Sequence, residues 1–341
     1  SDVLGSNLMV MLRLRQRASS CGAVFAALLP LLFLLSSLCV VLVAGAEPLP
    51  TTFGDFRMPG TQPLSIIDGL ATPDQCIDCH AGYGSPEVEP FRNWQGSMMG
   101  QTGRDPMMWA AMAVANQDAA SSGETCLRCH LPRGWLEGRS VPTDGTAMNA
   151  GDRHGVQCSV CHRMVDPFGG EGAPVADADI LAALTAPVTK LGSAQMVIDP
   201  LSRLRGPFDV VADNGGDPHT PSHETLISPF HESSEMCGTC HNVLIPVFTR
   251  NSEGGYDPNP IDQPGDPELA FPEQSTYDEW AASAYASGGV RAPQFGRNKE
   301  MVSSCQDCHM PDVSGRDAED GPERDDLPLH EMVGANTFIP K

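Results

Sequence analysis

The chain has 341 residues, with 43 acidic against 21 basic side chains for a net charge of −22, and it contains 34 Gly, 30 Pro and 12 Cys. So acidic a surface repels nucleic acid and anionic lipid; it suits redox protein partners with basic docking patches, or solubility alone. The Gly and Pro content excludes long uninterrupted helices and a large regular sheet, and it predicts a mainly α fold with extensive coil and little or no sheet.

The first stretch reads as an address. Arg13, Arg15 and Arg17 precede an apolar run over 23–43, and Ala44-Gly45-Ala46 follows. That is the layout of a secretory signal with an A-x-A cleavage site, so 1–46 is expected to be a signal peptide with upstream residues. Export to the periplasm, the outer surface or the extracellular space follows. Membrane association is expected only if the run stays uncleaved, since it is long enough to span a bilayer. No pattern specifies an oligomer. Cys21 and Cys39 leave with the signal, and Cys39 follows Leu38 rather than the small residue a lipoprotein anchor would need.

The other ten cysteines form five pairs: Cys76-Ile-Asp-Cys79-His80, Cys126-Leu-Arg-Cys129-His130, Cys158-Ser-Val-Cys161-His162, Cys237-Gly-Thr-Cys240-His241 and Cys305-Gln-Asp-Cys308-His309. Each reads C-x-x-C-H, the attachment signature of c-type haem. Two thiols add across the porphyrin vinyl groups, two intervening residues span the vinyls on one turn of backbone, and the adjacent His lies under the iron. The ten cysteines are therefore expected to attach five covalently bound c-type haems, with His80, His130, His162, His241 and His309 as proximal ligands. Zinc ribbons also use paired C-x-x-C units, but zinc requires no His after every second Cys, and exported thiolates would oxidise.

Five porphyrins in roughly 300 residues leave too little protein for five separate cores, so the macrocycles must fill much of the interior and lie close together. The second and third motifs, nearest in sequence, are the expected directly stacked pair. The motifs divide the chain into an N-terminal linker (47–70), a three-haem segment (71–165), a loop-rich connection (166–218), a two-haem segment (219–312) and a C-terminal tail (313–341), read as short of a further portion.

Within this frame Pro106 to Asp118 favours a helix with Met108, Met112 and Ala115 on one stripe, and Asp177 to Thr185 and Tyr277 to Ala286 favour two more. Asp166 to Val175 and Gly254 to Pro272 read as loops. The acidic run Asp317 to Asp326 reads as a solvated loop rather than a calcium site. One internal repeat stands out: Phe91-Arg-Asn-Trp94-Gln-Gly-Ser97 matches Tyr277-Asp-Glu-Trp280-Ala-Ala-Ser283 as aromatic-x-x-W-x-x-S. On a helix Trp and Ser would share a face, with the indole against a porphyrin and the residue two after Ser pointing toward an iron.

Five histidines lie outside the motifs: His154, His219, His223, His231 and His330. They suffice to give every iron a second His and leave no obvious open site. His154 and His231, tethered just before Cys158 and Cys237, each suit an iron other than that of the following motif. His219 and His223, four apart, read as alternatives. His330 sits in a tail with little other reason to fold. Methionine competes as a ligand. Most of Met98, Met99, Met107, Met108 and Met112 read as core filler, and Met99, two after Ser97, is the distal candidate among them.

At these residues the chain resembles the exported multihaem cytochromes related to the tetrahaem cytochrome of ammonia oxidisers and to hydroxylamine oxidoreductase. The resemblance rests on the Trp94 and Trp280 helices, His154-Gly-Val-Gln-Cys158, Cys237-Gly-Thr-Cys240-His241-Asn242, Cys305-Gln-Asp-Cys308-His309-Met310-Pro311, and His330 with Gly334-Ala335-Asn336. It touches most of 71–338. It implies electron transfer through closely packed haems, commonly with two His ligands per iron. Family members often carry His where this chain has Met99 and Tyr285. Enzymes of the group often replace a motif His by Lys or cross-link a Tyr to the catalytic haem; here there is no C-x-x-C-K, and the tyrosines are Tyr83, Tyr256, Tyr277 and Tyr285.

The ligand count favours an electron carrier with no catalytic residue. The alternatives are an oxidoreductase of a small nitrogen or sulfur compound at one five-coordinate haem near Met99 or Tyr285, and a protomer of an extracellular cytochrome filament.

Overall fold

Glycine and proline keep the regular elements short. In the computed structural model, which describes residues 47–210 and 223–334, the longest helix is Pro106–Asp118, where the absence of Gly predicted one. The Asp105 side chain accepts from Met107 N at 2.9 Å, Pro106 fills the first turn, and Met108 and Met112 bury one stripe beside Leu127, Leu131 and Met148. The next expected helix occupies Val175–Ala182. The third stops early, at Thr276–Ala281, because the Ser283 hydroxyl donates to the Trp280 carbonyl at 2.6 Å and closes the turn. No helix among the described residues is long and apolar enough to cross a membrane. The expected signal segment 1–46, His219 and residues 335–341 lie outside the described residues.

The expectation of little or no sheet is corrected: several small sheets are present. Met164–Val165 pairs antiparallel with Val197–Ile198, Arg203–Gly206 parallel with Glu224–Ile227, and Val290–Arg291 antiparallel with Met301–Val302. Val243–Arg250 is the centre of a three-stranded sheet between Tyr256–Pro258 and Ala270–Gln274. Two of those strands lie in or overlap the stretch Gly254 to Pro272, which read as loop. Its Gly and Pro punctuation hid a Val-Leu-Ile-Pro-Val-Phe-Thr partner that offers backbone groups on both edges and buries Leu244 with Met58 and Ala270. The tail also forms a sheet. Asp312–Gly315 pairs with Arg324–Pro328, and Leu327 and Leu329 are buried.

The largest apolar cluster joins Leu70, Trp135, Leu136, Val160, Met164, Ala194, Met196, Ile198 and Phe230, with Cys129 and Cys240 packed against it. Residues 47–70, expected to be a linker, form a strap over this core with Phe56, Met58 and Leu70 buried. Two buried arginines stitch it down. Arg128 donates to the carbonyls of Met58, Pro59 and Ala194, and Arg163 to those of Asp68, Gly69 and Asp199. A third, Arg205, lies 2.6 Å from Asp177 and 2.7 Å from Asp199, all three side chains buried. Burial raises the Asp177 carboxyl above its usual value, against the hydrogen bond from Arg205.

Such a cluster is stable only while complete, because each charge is shielded from water by the others. Arg205→Ala leaves the buried Asp177 carboxylate unpaired and Asp199 with Arg203 alone, and is expected to cost about 3–5 kcal/mol in urea unfolding. Arg205→Lys should recover only part of this, since one ammonium cannot replace the two-pronged guanidinium.

Candidate haem-binding site

Each motif lies on or at the end of a helix of one or two turns, Ile77–His80, Gly123–His130, Cys158–Cys161, Ser234–Gly238 and Cys305–His309; in the fourth, Cys237 is in the helix and Cys240 and His241 follow it. The C-x-x-C spacing places both thiols on one face of the turn. Helices this short do not persist alone, so their ends are held from outside. Ser304 and Asp307 form a capping box at the fifth, and Ser233 caps the fourth. The ten cysteines are free thiols, not a disulfide framework.

Three proximal candidates are fixed through the ring nitrogen that does not face a metal. Nδ1 of His80 meets the Asp317 carbonyl at 2.7 Å, that of His162 the Arg205 carbonyl at 2.7 Å, and that of His309 the Val333 carbonyl. A carbonyl only accepts, so Nδ1 carries the proton and Nε2 keeps its lone pair. This is the tautomer that ligation through Nε2 requires, and in this respect the residues fit c-type haem. The Nδ1 of His130 is buried with no hydrogen-bond partner, so its ring is not tied in this way.

The other histidines sort by tautomer too. His223 faces His80 with ring centroids 6.5 Å apart and planes 24° from parallel, and His330 faces His162 at 6.1 Å and 18°. Two imidazoles bound through nitrogen to one metal, at about 2 Å each, have centroids about 6 Å apart. His330 donates Nδ1–H to Pro328 O at 3.0 Å, which leaves Nε2 free. His231 also lies near His162, at 5.8 Å, but its Nε2 donates to Cys161 O at 3.0 Å while Nδ1 is buried and unpartnered. Its free lone pair is therefore on Nδ1. His154 receives Arg104 Nη2 at 2.9 Å on Nδ1, so its Nε2 carries the proton. Burial, then the Arg104 charge, holds His154 below the usual histidine range. Met99 and Tyr285 are half-buried, and the Met99 carbonyl accepts from Val156 N at 3.0 Å.

The thiols show how the motifs are grouped. Cys76 touches Cys158, Cys129 touches Cys240, and Cys237 touches Cys305. The contacts therefore join first to third, second to fourth and fourth to fifth, because chain folding, not loop length, decides which short helices meet. Cys161 interacts electrostatically with Cys237 and Cys240, which connects the third motif to the fourth. Sequence reasoning also missed the carbonyls of Asp317, Arg205 and Val333, which leave no residue-type signal, and Arg104, whose role depends on folding against His154.

Residues 75–163 match the family described as cytochrome c554 and c-prime. This segment holds the first three motifs, and it is that of a multihaem c-type cytochrome. No curated protein matches the chain. Among solved structures it is similar to a penta-heme cytochrome c552 from Thermochromatium tepidum, with 19% identity and a TM-score of 0.42, over 80% of this chain and 58% of that one.

Burial, reinforced by the neighbouring His162, lowers His231 and His330 to about 3 from an ordinary 6.5, so both rings are neutral at neutral pH and each keeps a lone pair.

Proposed function

We propose that the chain is a pentahaem electron-transfer protein, related to the exported cytochromes of the tetrahaem cytochrome and hydroxylamine oxidoreductase group. The observation that carries this reading is the continuity of the motifs. Thiol contacts run from the first motif to the third, from the second to the fourth and from the fourth to the fifth, and His231, just ahead of the fourth motif, donates Nε2–H to Cys161 O of the third at 3.0 Å. No motif is left outside the network, and the fourth is its junction.

When bound, c-type haem supplies a one-electron iron couple. The chain's part is to supply ligands, fix their tautomers and keep water from the interior. His80 with His223, and His162 with His330, are the ligand pairs the geometry supports best. His231 through Nδ1, His219 and Met99 remain candidates for the other irons, and His154 becomes one only on release of its bond to Arg104. A redox partner with a basic patch suits the strongly acidic surface of the protein. Export to the periplasm or outer surface belongs to this reading, since covalent haem attachment and the N-terminal pattern both suit it.

A second reading, an oxidoreductase acting on a small nitrogen or sulfur compound at one five-coordinate iron, draws on a specific observation: Arg104 places the proton of His154 on Nε2, which withdraws that nitrogen from ligation.

A pyridine haemochrome assay on the holoprotein should return five haems per chain, and low-temperature EPR should show low-spin ferric iron. His223→Ala and His330→Ala should each convert one low-spin iron to high spin. Fewer than five haems would overturn the pentahaem reading, and a high-spin signal in the unaltered protein would favour the oxidoreductase.

A further inference from the structure

The W-x-x-S repeat does something its sequence did not suggest. Neither serine lies inside the helix with its Trp. Each sits just beyond the helix end and donates its hydroxyl back to the Trp carbonyl, Ser97 to Trp94 at 2.7 Å and Ser283 to Trp280 at 2.6 Å. The indoles, held in this way, point N–H at a distant carbonyl. Trp94 Nε1 donates to Val156 O at 2.8 Å, and Trp280 Nε1 to Ser303 O at 2.7 Å.

Val156 is two residues before Cys158, and Ser303 is two residues before Cys305. In both cases the indole takes the carbonyl immediately ahead of the residue that caps the attachment helix, Gln157 or Ser304. A third tryptophan reaches the same position by another route: Trp135 Nε1 donates to the carboxylate of Glu124, two residues before Cys126. The fourth, Trp109, packs in the cluster with Leu127 of the second motif but donates instead to Gly103 O at 3.1 Å, not to a group just ahead of an attachment helix.

The residue three before each repeat Trp completes the arrangement. Phe91 packs with Trp94 against Ala81, which directly follows the first motif. The Tyr277 ring lies against Gly238 inside the fourth motif, where an added Cβ would fall 2.5 Å from it, and Tyr277 N donates to His241 O at 3.0 Å. Helix Pro90–Gln95 thus touches the first motif with its aromatic and the third with its Trp. Helix Thr276–Ala281 does the same for the fourth and fifth. These are pairs of motifs whose first cysteines touch, Cys76 with Cys158 and Cys237 with Cys305.

We infer that the aromatic-x-x-Trp-x-x-Ser helix is a duplicated clamp, in which Trp94 and Trp280 are positioning residues that set the spacing and mutual angle of two attachment helices, and so of the two haems they carry. The inference rests on the pentahaem reading. It assigns no ligand role to either Trp. A four- or five-residue helix held at its start by one indole can rotate when that bond is lost, and the thiols and His that follow rotate with it.

The test is Soret circular dichroism of the holoprotein, whose exciton couplet reports the geometry of neighbouring haems, read beside the haem count. Trp94→Phe and Trp280→Phe keep the apolar ring and remove only the donor. Each should retain the wild-type haem count and lose about one third of the couplet, one of three thiol-contacting pairs, with the losses additive in the double variant. Trp109→Phe should leave the couplet unchanged. If a Trp variant fails to fold, Ser97→Ala and Ser283→Ala release the same helix ends and should lower the couplet in the same direction. An unchanged couplet at full haem count in the donor-less variants overturns the clamp, as does an equal loss in Trp109→Phe. A wild-type count below five would instead be a failure of the pentahaem reading.

Discussion

The constraint on which the structure depends is that the attachment helices are too short to hold themselves. One turn of helix fixes several backbone dihedrals for a single hydrogen bond, which is unfavourable without outside support. The protein supplies that support at both ends of its motifs. Indoles or caps hold the starts, as at Val156, Glu124 and Ser303, and backbone carbonyls hold the histidines at the ends, as at Asp317, Arg205 and Val333. The large loop content is a consequence: long excursions of chain are needed to bring a distant carbonyl to a particular imidazole.

The third motif shows how these ties converge. His162 is half-buried, its Nδ1 meets the Arg205 carbonyl, and the Arg205 backbone N–H returns to His162 O at 2.6 Å. The Arg205 guanidinium is locked by Asp177 and Asp199, and the next residue in the motif strand, Arg163, is bound to the N-terminal strap. His330 approaches the same imidazole from the tail. Packing, ion pairing and ligand orientation are therefore coupled at one place, and a change in any of them reaches the ring.

The tail connects what would otherwise be two pairs. Val333 exchanges hydrogen bonds with His309 in the fifth motif, His330 faces His162 in the third, and Met332 packs beside Ala81, Phe91 and Trp94 next to the first. A short strand with buried Leu327, followed directly by buried Leu329, carries these three residues into position. The segment serves as a cross-brace, and burial of the two leucines helps hold it.

The sequence by itself determined the chemistry. Five C-x-x-C-H motifs name the candidate attachment residues and candidate proximal ligands, because cysteine spacing on one turn and an adjacent His are local requirements that local residues must meet. It also placed the helix at Pro106–Asp118, where capping and the run without Gly agree. Only the tertiary structure decided which motifs meet, which histidines face each other and what the W-x-x-S repeat does. Those depend on contacts across long stretches of chain, on backbone carbonyls that have no side-chain signature, and on ring tautomers set by whichever donor or acceptor the fold brings near, as Arg104 does at His154 and Pro328 at His330. The small sheets were illegible for the same reason: strands such as Ala270–Gln274 are specified by the partner they find, not by their own composition.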